Sequence, residues 1–134
     1  MFVKRTSLRV RYAETDQMGV VYYGNYAQYF EVGRVEALRA LGMSYREMEE
    51  GGVMLPVHKL ELQYLKPALY DDLLTIETRI TEMPSTRIRF HHEVFNESND
   101  LLTKGLVELV FVNRSNRRPC RVPASFLEKI GSYF

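Results

Sequence analysis

Alternation of apolar and polar positions opens the chain. From Thr6 onward Leu8, Val10 and Tyr12 fall on one face and Arg9 and Arg11 on the other, which predicts a half-buried strand. The period then disappears between Ala13 and Gly24, a stretch holding Asp16, Gly19 and Gly24. An aperiodic segment inside a short domain reads as a working loop rather than a spacer. From Asn25 the spacing shifts to three and four: Tyr26, Tyr29, Phe30, Gly33, Ala37, Leu38 and Leu41 share one face, opposite Glu31, Arg34, Glu36 and Arg39. Asn25 reads as the N-cap of this helix and Gly42 as its terminating glycine. Gly33 costs helix stability in mid-element, by ~1 kcal/mol relative to Ala, so close approach of another backbone is expected there. Ser44 with Glu47 three residues on predicts a short capped helix closed by Gly51-Gly52.

Strand patterns follow. Val53 to Lys66 is mixed but bounded by Gly52 and Pro67. Leu74, Ile76, Thr78 and Ile80 alternate in the next strand, and Ile88, Phe90, His92 and Val94 in the one after. Leu101 to Val112 reads as a fourth long strand with a bulge near Gly105, joined to its predecessor by the turn Asn96-Glu-Ser-Asn-Asp100. Pro123 to Ile130 reads as a closing helix. One long apolar-faced helix and five antiparallel strands cover each other's exposed faces, so the expected class is α+β, with residues 1–134 as one domain.

Composition narrows the function. Apolar residues make up 46% of the chain, enough for a core without staples, and the single cysteine, Cys120, has no internal disulfide partner. Eighteen basic against seventeen acidic residues argue against a general grip on nucleic acid. The uncharged stretch from Met18 to Phe30 is too short and too polar to span a bilayer. The expectation is a cytoplasmic protein without membrane insertion.

The loop ahead of the long helix is the best place for chemistry. It sets Asp16 a few residues before a helix start, where unpaired N–H groups and the helix dipole favour developing negative charge. Acyl transfer needs both a group that supplies a nucleophile and donors for the oxyanion. Composition alone also allows Asp16 to be a loop-capping aspartate. His91-His92-Glu93 suggests a metal, but in a strand His92 points away from the other two, so no metal site is expected. Cys120 has no base fixed beside it. Arg114, Arg117, Arg118 and Arg121 form either a solvated turn or a contact for the ribose phosphate of a nucleotide.

The segments Asp16-Gln-Met-Gly-Val-Val-Tyr-Tyr-Gly-Asn-Tyr26 and Tyr29-Phe-Glu-Val-Gly-Arg-Val-Glu36 resemble the hydroxybenzoyl-CoA thioesterase class of hotdog proteins, which includes acyl-CoA thioesterases of the Tol-Pal system. The likeness continues through Tyr64 to Thr78, Leu109 to Val112, Arg118-Pro119 and Val122-Pro123, nearly the whole chain. It implies a hotdog fold, with a five-stranded antiparallel sheet wrapped around a long central helix. It also implies hydrolysis of acyl-CoA at a site between subunits of a homodimer or homotetramer, with no cofactor beyond the coenzyme A of the substrate. Asp16 falls on the catalytic carboxylate and Tyr23 on the backbone oxyanion donor. Gly19, Val20, Tyr22, Asn25, His58 and Arg87 are the residues expected to line the substrate. Relatives of the Tol-Pal type carry a histidine where this chain has Tyr23, a change to which a backbone donor is indifferent. Acyl carrier protein as the thiol carrier, and a non-catalytic acyl-binding protein, are the alternatives. A hotdog dehydratase is disfavoured by the absence of a histidine in the early loop and of a His-Phe-Pro segment.

Overall fold

A computed structural model describes residues 1–134. Strand β1 (Phe2–Arg9) leads through the aperiodic loop into helix α1 (Tyr26–Ala40) and short helix α2 (Tyr45–Glu50). Then come β2 (Val53–Met54), β3 (Val57–Tyr64), β4 (Leu73–Ile80), β5 (Arg87–Phe95), β6 (Leu101–Val110), β7 (Val112–Asn113) and α3 (Ala124–Ile130). Five strands form one antiparallel sheet in the order β1-β4-β5-β6-β3. Helix α1 packs across β1, β4 and β5, the expected hotdog layout.

The alternating faces are where the pattern placed them. Leu74, Ile76, Thr78 and Ile80 are buried together, as are Ile88, Phe90, His92 and Val94, and Ile76, Thr78 and His92 meet α1 at Gly33. Ser44 caps α2, its hydroxyl accepting the Glu47 N–H at 3.1 Å. The Asn96–Asp100 turn makes the expected hairpin, with Asn99 in the left-handed region at φ 64.

Five local expectations are corrected. Tyr12 leaves the strand face, sitting exposed in a 3-10 turn (Tyr12–Glu14). The Val53–Lys66 strand breaks at Pro56, which has no N–H for a ladder, and β2 pairs with β7 outside the main sheet. No bulge occurs at Gly105, which pairs in register with both His92 and Leu62; the shifts lie at Val94/Phe95 and Val57/Lys59. Gly105 is small for another reason: a Cβ there would stand 2.1 Å from the ring of Phe30. Gly33 does allow close approach, but of the Thr78 and Ile76 side chains rather than of backbone. Arg34, expected on the polar face, is buried because α2 folds over it, and its Nε donates to the Tyr45 hydroxyl at 3.3 Å.

His92 is a core histidine. Its ring stacks on Phe30 with centroids 4.6 Å apart, and Nδ1 shares a 3.0 Å hydrogen bond with the Thr78 hydroxyl. Burial first, then the charges of Arg34 and His91, push its pKa from 6.5 down to about 3. Between those values the unfolded chain takes up a proton that the folded chain refuses. Stability from this group is therefore complete above pH 6.5 and falls as pH drops toward 3, at roughly 1.4 kcal/mol per pH unit. Urea unfolding at about pH 7 and about pH 5 is expected to differ by roughly 2 kcal/mol from His92 alone. The His92→Asn protein should show a correspondingly flatter slope against pH, whatever its starting stability.

Strand β3 is one edge of the sheet, β1 the other. Val57, Leu60 and Tyr64 are exposed along β3, an apolar edge of the kind that pairs with another strand.

Candidate active site

The loop between β1 and α1 is a tight, hydrogen-bonded structure rather than a slack connection. Thr15 and Val21 bridge in antiparallel fashion, and the Asp16 N–H donates to the Val20 carbonyl at 2.9 Å. Gln17-Met18-Gly19 form the three-residue turn, closed by the Gly19 N–H on the Asp16 carbonyl at 3.0 Å. Gly19 takes φ +80, the left-handed position such a turn needs at its third residue. Val21 N–H to the Ala68 carbonyl (2.8 Å) and a bridge from Val20 to Leu69 fasten this hairpin to the chain following β3.

The turn fixes the half-buried Asp16 carboxylate. Oδ1 accepts the Met18 N–H at 2.9 Å, while Oδ2 has no partner in the chain. One oxygen orients the group and the other is free to accept a proton or attack.

Glu14 holds the loop to the helix, a role that the sequence pattern did not disclose. Its carbonyl accepts the Tyr22 N–H (2.9 Å) and the Asn25 side-chain amide (2.8 Å). Its carboxylate accepts the Arg11 N–H and the Tyr29 hydroxyl, each at 2.9 Å, and pairs with the Arg11 guanidinium at 3.0 Å. Burial raises this carboxyl, but those donors outweigh it and hold the group below its ordinary value. Burial and the Glu14 carboxylate push the Tyr29 phenol up. Tyr29 lies in the first turn of α1, 15 residues along the chain from Glu14, so only the folded chain reveals the partnership.

A 3-10 turn (Tyr23–Asn25) precedes α1, and its first two amides, Tyr23 and Gly24, donate to no group of the chain. Asn25 occupies the N-cap position of α1 without capping it: its backbone is already helical (φ −76, ψ −16), and its side-chain NH2 donates to the Glu14 carbonyl. From the end of β3, the Tyr64 hydroxyl donates to the Tyr23 carbonyl at 3.1 Å. A cavity of about 280 Å³ opens at this junction. Asp16, Tyr23 and Tyr64 line it beside the mainly apolar wall of Met18, Val20, Val21, Tyr26 and Pro67, with Lys66 at its rim. A carboxylate with one free oxygen and the residue bearing the unsatisfied Tyr23 amide thus line one apolar cleft, the equipment for attack on an activated carbonyl.

The expected site residues divide into two groups. Asp16, Val20 and Tyr23 line the cavity, Gly19 shapes its turn, and Tyr22 packs against Tyr23 with ring centroids 4.6 Å apart. Of the aromatic residues in this region, Tyr29 and Phe30 belong to the core. His58 and Arg87 lie elsewhere in this chain, around the buried Glu108. Arg87 Nη1 is 2.9 Å and His58 Nε2 3.8 Å from its carboxylate, and Arg89 Nε is 2.8 Å away. The Arg89 guanidinium above all holds Glu108 below its ordinary pKa. His58 is six residues along β3 from Tyr64, roughly 20 Å at strand rise. His91 and His92 face opposite sides of β5, His92 into the core. Cys120 is half-buried against the core. Arg114 donates to the Glu49 carbonyl at 3.2 Å, and none of Arg114, Arg117, Arg118 and Arg121 has a carboxylate partner.

Comparison with known proteins places this architecture. The family model of the thioesterase-like superfamily matches residues 10–130. The chain is 35% identical over 123 residues to the acyl-CoA thioester hydrolase YbgC of Escherichia coli O6:H1, covering 92% of each protein. It is 34% identical over 125 residues to the chloroplastic acyl-acyl carrier protein thioesterase ATL3 of Arabidopsis thaliana, covering 91% of this chain and 64% of that one. Among solved structures, the DHNA-CoA thioesterase of Staphylococcus aureus aligns with a TM-score of 0.91 at 36% identity, over 99% of this chain and 89% of that chain.

Proposed function

The chain belongs to the thioesterase-like superfamily, and from that starting point we propose that it hydrolyses an acyl-CoA thioester to the free acid and coenzyme A. The observation that carries this reading is the meeting of the Asp16 carboxylate, one oxygen unpartnered, with the unsatisfied Tyr23 amide at one apolar cavity. Asp16 takes the proton of a water that attacks the thioester carbonyl, or attacks it directly to give an acyl-enzyme anhydride that water then opens. The carbonyl oxygen becomes an oxyanion, and the N–H of Tyr23 receives it. Collapse expels the coenzyme thiolate, a good leaving group. General-base help is worth ~10²–10⁴ in rate and one oxyanion donor ~10²–10³. Both act on a carbonyl already activated as a thioester.

Gly19, Val20, Tyr22 and Asn25 surround the acyl end in this reading. His58 and Arg87 reach it from a second copy. Antiparallel pairing of two β3 edges would run each strand's His58 end alongside its partner's Tyr64 end, closing the roughly 20 Å that separates them in one chain. A homodimer is then the smallest working unit, and two dimers make a homotetramer. Residues 1–134 act as one thioesterase domain that needs no cofactor. No helix is long and apolar enough to cross a membrane, and cytoplasmic acyl-CoA is the substrate pool proposed.

Similarity to ATL3 favours one rival, acyl carrier protein as the thiol carrier. Matched acyl groups on the two carriers separate the readings. A screen across acyl-CoA chain lengths and aromatic acyl groups should show turnover, with kcat/KM at least tenfold higher for coenzyme A than for the carrier protein. Turnover of the carrier-bound form alone would transfer the activity to the rival, and tight binding without turnover would make the protein an acyl-binding one.

A further inference from the structure

Resting on the thioesterase reading, we propose that Glu14 is a positioning residue that sets the spacing between the Asp16 carboxylate and the Tyr23 N–H. Glu14 does not line the cavity, so it acts through the two residues that do. Its carbonyl is their common anchor. On one side, Asp16 lies two residues further along the same hairpin arm. The rungs from the Tyr22 N–H to the Glu14 carbonyl and from the Asp16 N–H to the Val20 carbonyl, each 2.9 Å, hold that arm. On the other side, the Glu14 carbonyl also accepts the Asn25 side-chain amide at 2.8 Å. Tyr22 and Asn25, which bracket the Tyr23 N–H, are thereby tied to one atom. The Tyr22 carbonyl and the Tyr23 N–H form one planar peptide unit, and that carbonyl accepts the Asn25 N–H at 2.9 Å within the turn. The opposed Tyr23 N–H therefore points out of the helix start, with no acceptor in the chain.

The Glu14 side chain fixes the anchor itself. Oε1 accepts both the Arg11 N–H and the Tyr29 hydroxyl, while Oε2 takes the Arg11 guanidinium, 3.0 Å from Nη2. Tyr29 is buried in the first turn of α1 and meets the cavity-lining Tyr26 edge-on, with centroids 5.6 Å apart, so its hydroxyl is a rigid post. Arg11 lies two residues past the end of β1. The two donors on Oε1 thus tie the hairpin to the sheet and to the helix at a single oxygen. A misplacement of about 1 Å between reacting groups can cost about 10²-fold in rate, so a tether this far from the carbonyl still acts on the chemistry.

The test compares Glu14→Ala, Glu14→Gln and Tyr29→Phe in the full chain. Glutamine keeps an oxygen for the two donors on Oε1 and loses the ion pair with Arg11, so it separates the tether from the charge. Steady-state hydrolysis of the best acyl-CoA should show kcat lowered by roughly ten- to hundredfold in Glu14→Ala. In Tyr29→Phe the fall should be roughly three- to tenfold, the scale of one hydrogen bond, with KM within about twofold of the parent in both. Glu14→Gln should recover the rate to within about threefold of the parent. Affinity for the matching S-alkyl-CoA thioether, which has no carbonyl oxygen to place, should be unchanged throughout. A Glu14→Ala or Tyr29→Phe protein as fast as the parent would overturn the assignment. So would Glu14→Gln no faster than Glu14→Ala, because charge rather than the tether would then matter. An equal loss of thioether affinity would overturn it too, since the pocket as a whole would have shifted. Should Glu14→Ala not fold, a slowed Tyr29→Phe beside a restored Glu14→Gln supports the assignment and any other pairing overturns it. A parent protein that hydrolyses no thioester would instead overturn the thioesterase reading, and this inference with it.

Discussion

Replacing Asp16 by Asn is expected to lower kcat on acyl-CoA by about 10²–10⁴-fold while leaving the fold and the KM nearly unchanged. The substitution isolates the chemistry because of how the carboxylate is held. Oδ1 accepts the Met18 N–H, and an amide oxygen can do the same, so the Gln17-Met18-Gly19 turn keeps its geometry. What disappears is the free oxygen that accepts a proton or attacks the carbonyl. The helix-start amides remain, so a residual rate above that of the uncatalysed thioester is expected. Single-turnover measurement beside a thermal melt checks both halves. A rate within threefold of the parent, at equal substrate saturation, would remove Asp16 from the mechanism and restore it to the role of a turn-forming aspartate.

The largest effect on stability should come from Gly105→Ala. A Cβ at this position would lie 2.1 Å from Cε2 and 2.4 Å from Cζ of Phe30, far inside contact distance. The Phe30 ring has nowhere to retreat, being fully buried and stacked on His92 with an interplanar angle of 7°. Either the ring leaves its rotamer or β6 moves away from α1. Overpacking of this kind costs about 3 kcal/mol, which for a chain of this length lowers Tm by roughly 10 °C. Because one clash carries the cost, Gly105→Ala combined with Phe30→Leu should lose less than the sum of the two single changes. Denaturant unfolding of the four proteins measures that coupling. Additive losses would show that the pair does not share a contact.

The two predictions concern residues that the sequence made visible to very different degrees. Asp16 stands out because it lies in an aperiodic loop ahead of a periodic helix and within a recognisable motif. Gly105 looked like the site of a bulge, since a glycine within a strand pattern commonly marks one. Its actual reason, the Phe30 ring, is 75 residues away in sequence, and no local pattern carries that information. Glu14 and Tyr64 are hidden for the same reason. Glu14 serves Arg11, Tyr22, Asn25 and Tyr29 at once, and Tyr64 reaches across to Tyr23 from the end of an edge strand.

Periodicity reports which side of an element is buried, and it did so correctly for β4, β5 and most of α1. From that followed an α+β class and a helix across an antiparallel sheet, while turn chemistry at Asn96–Asp100 and the capping spacing of Ser44 and Glu47 supplied the hairpin and the short helix. Periodicity does not report what lies against the buried side. The strand order β1-β4-β5-β6-β3, the departure of β2 to pair with β7, and the burial of Arg34 beneath Tyr45 all depend on contacts distant in sequence. So does the composition of the cleft. The sequence by itself determined that a carboxylate would precede a helix start; tertiary structure decided that one of its oxygens is left free, that the Tyr23 amide is unsatisfied, and that a tyrosine from the end of an edge strand donates to the Tyr23 carbonyl. Such arrangements are set by closing long loops around a shared core, so only the folded chain brings their members within hydrogen-bonding distance.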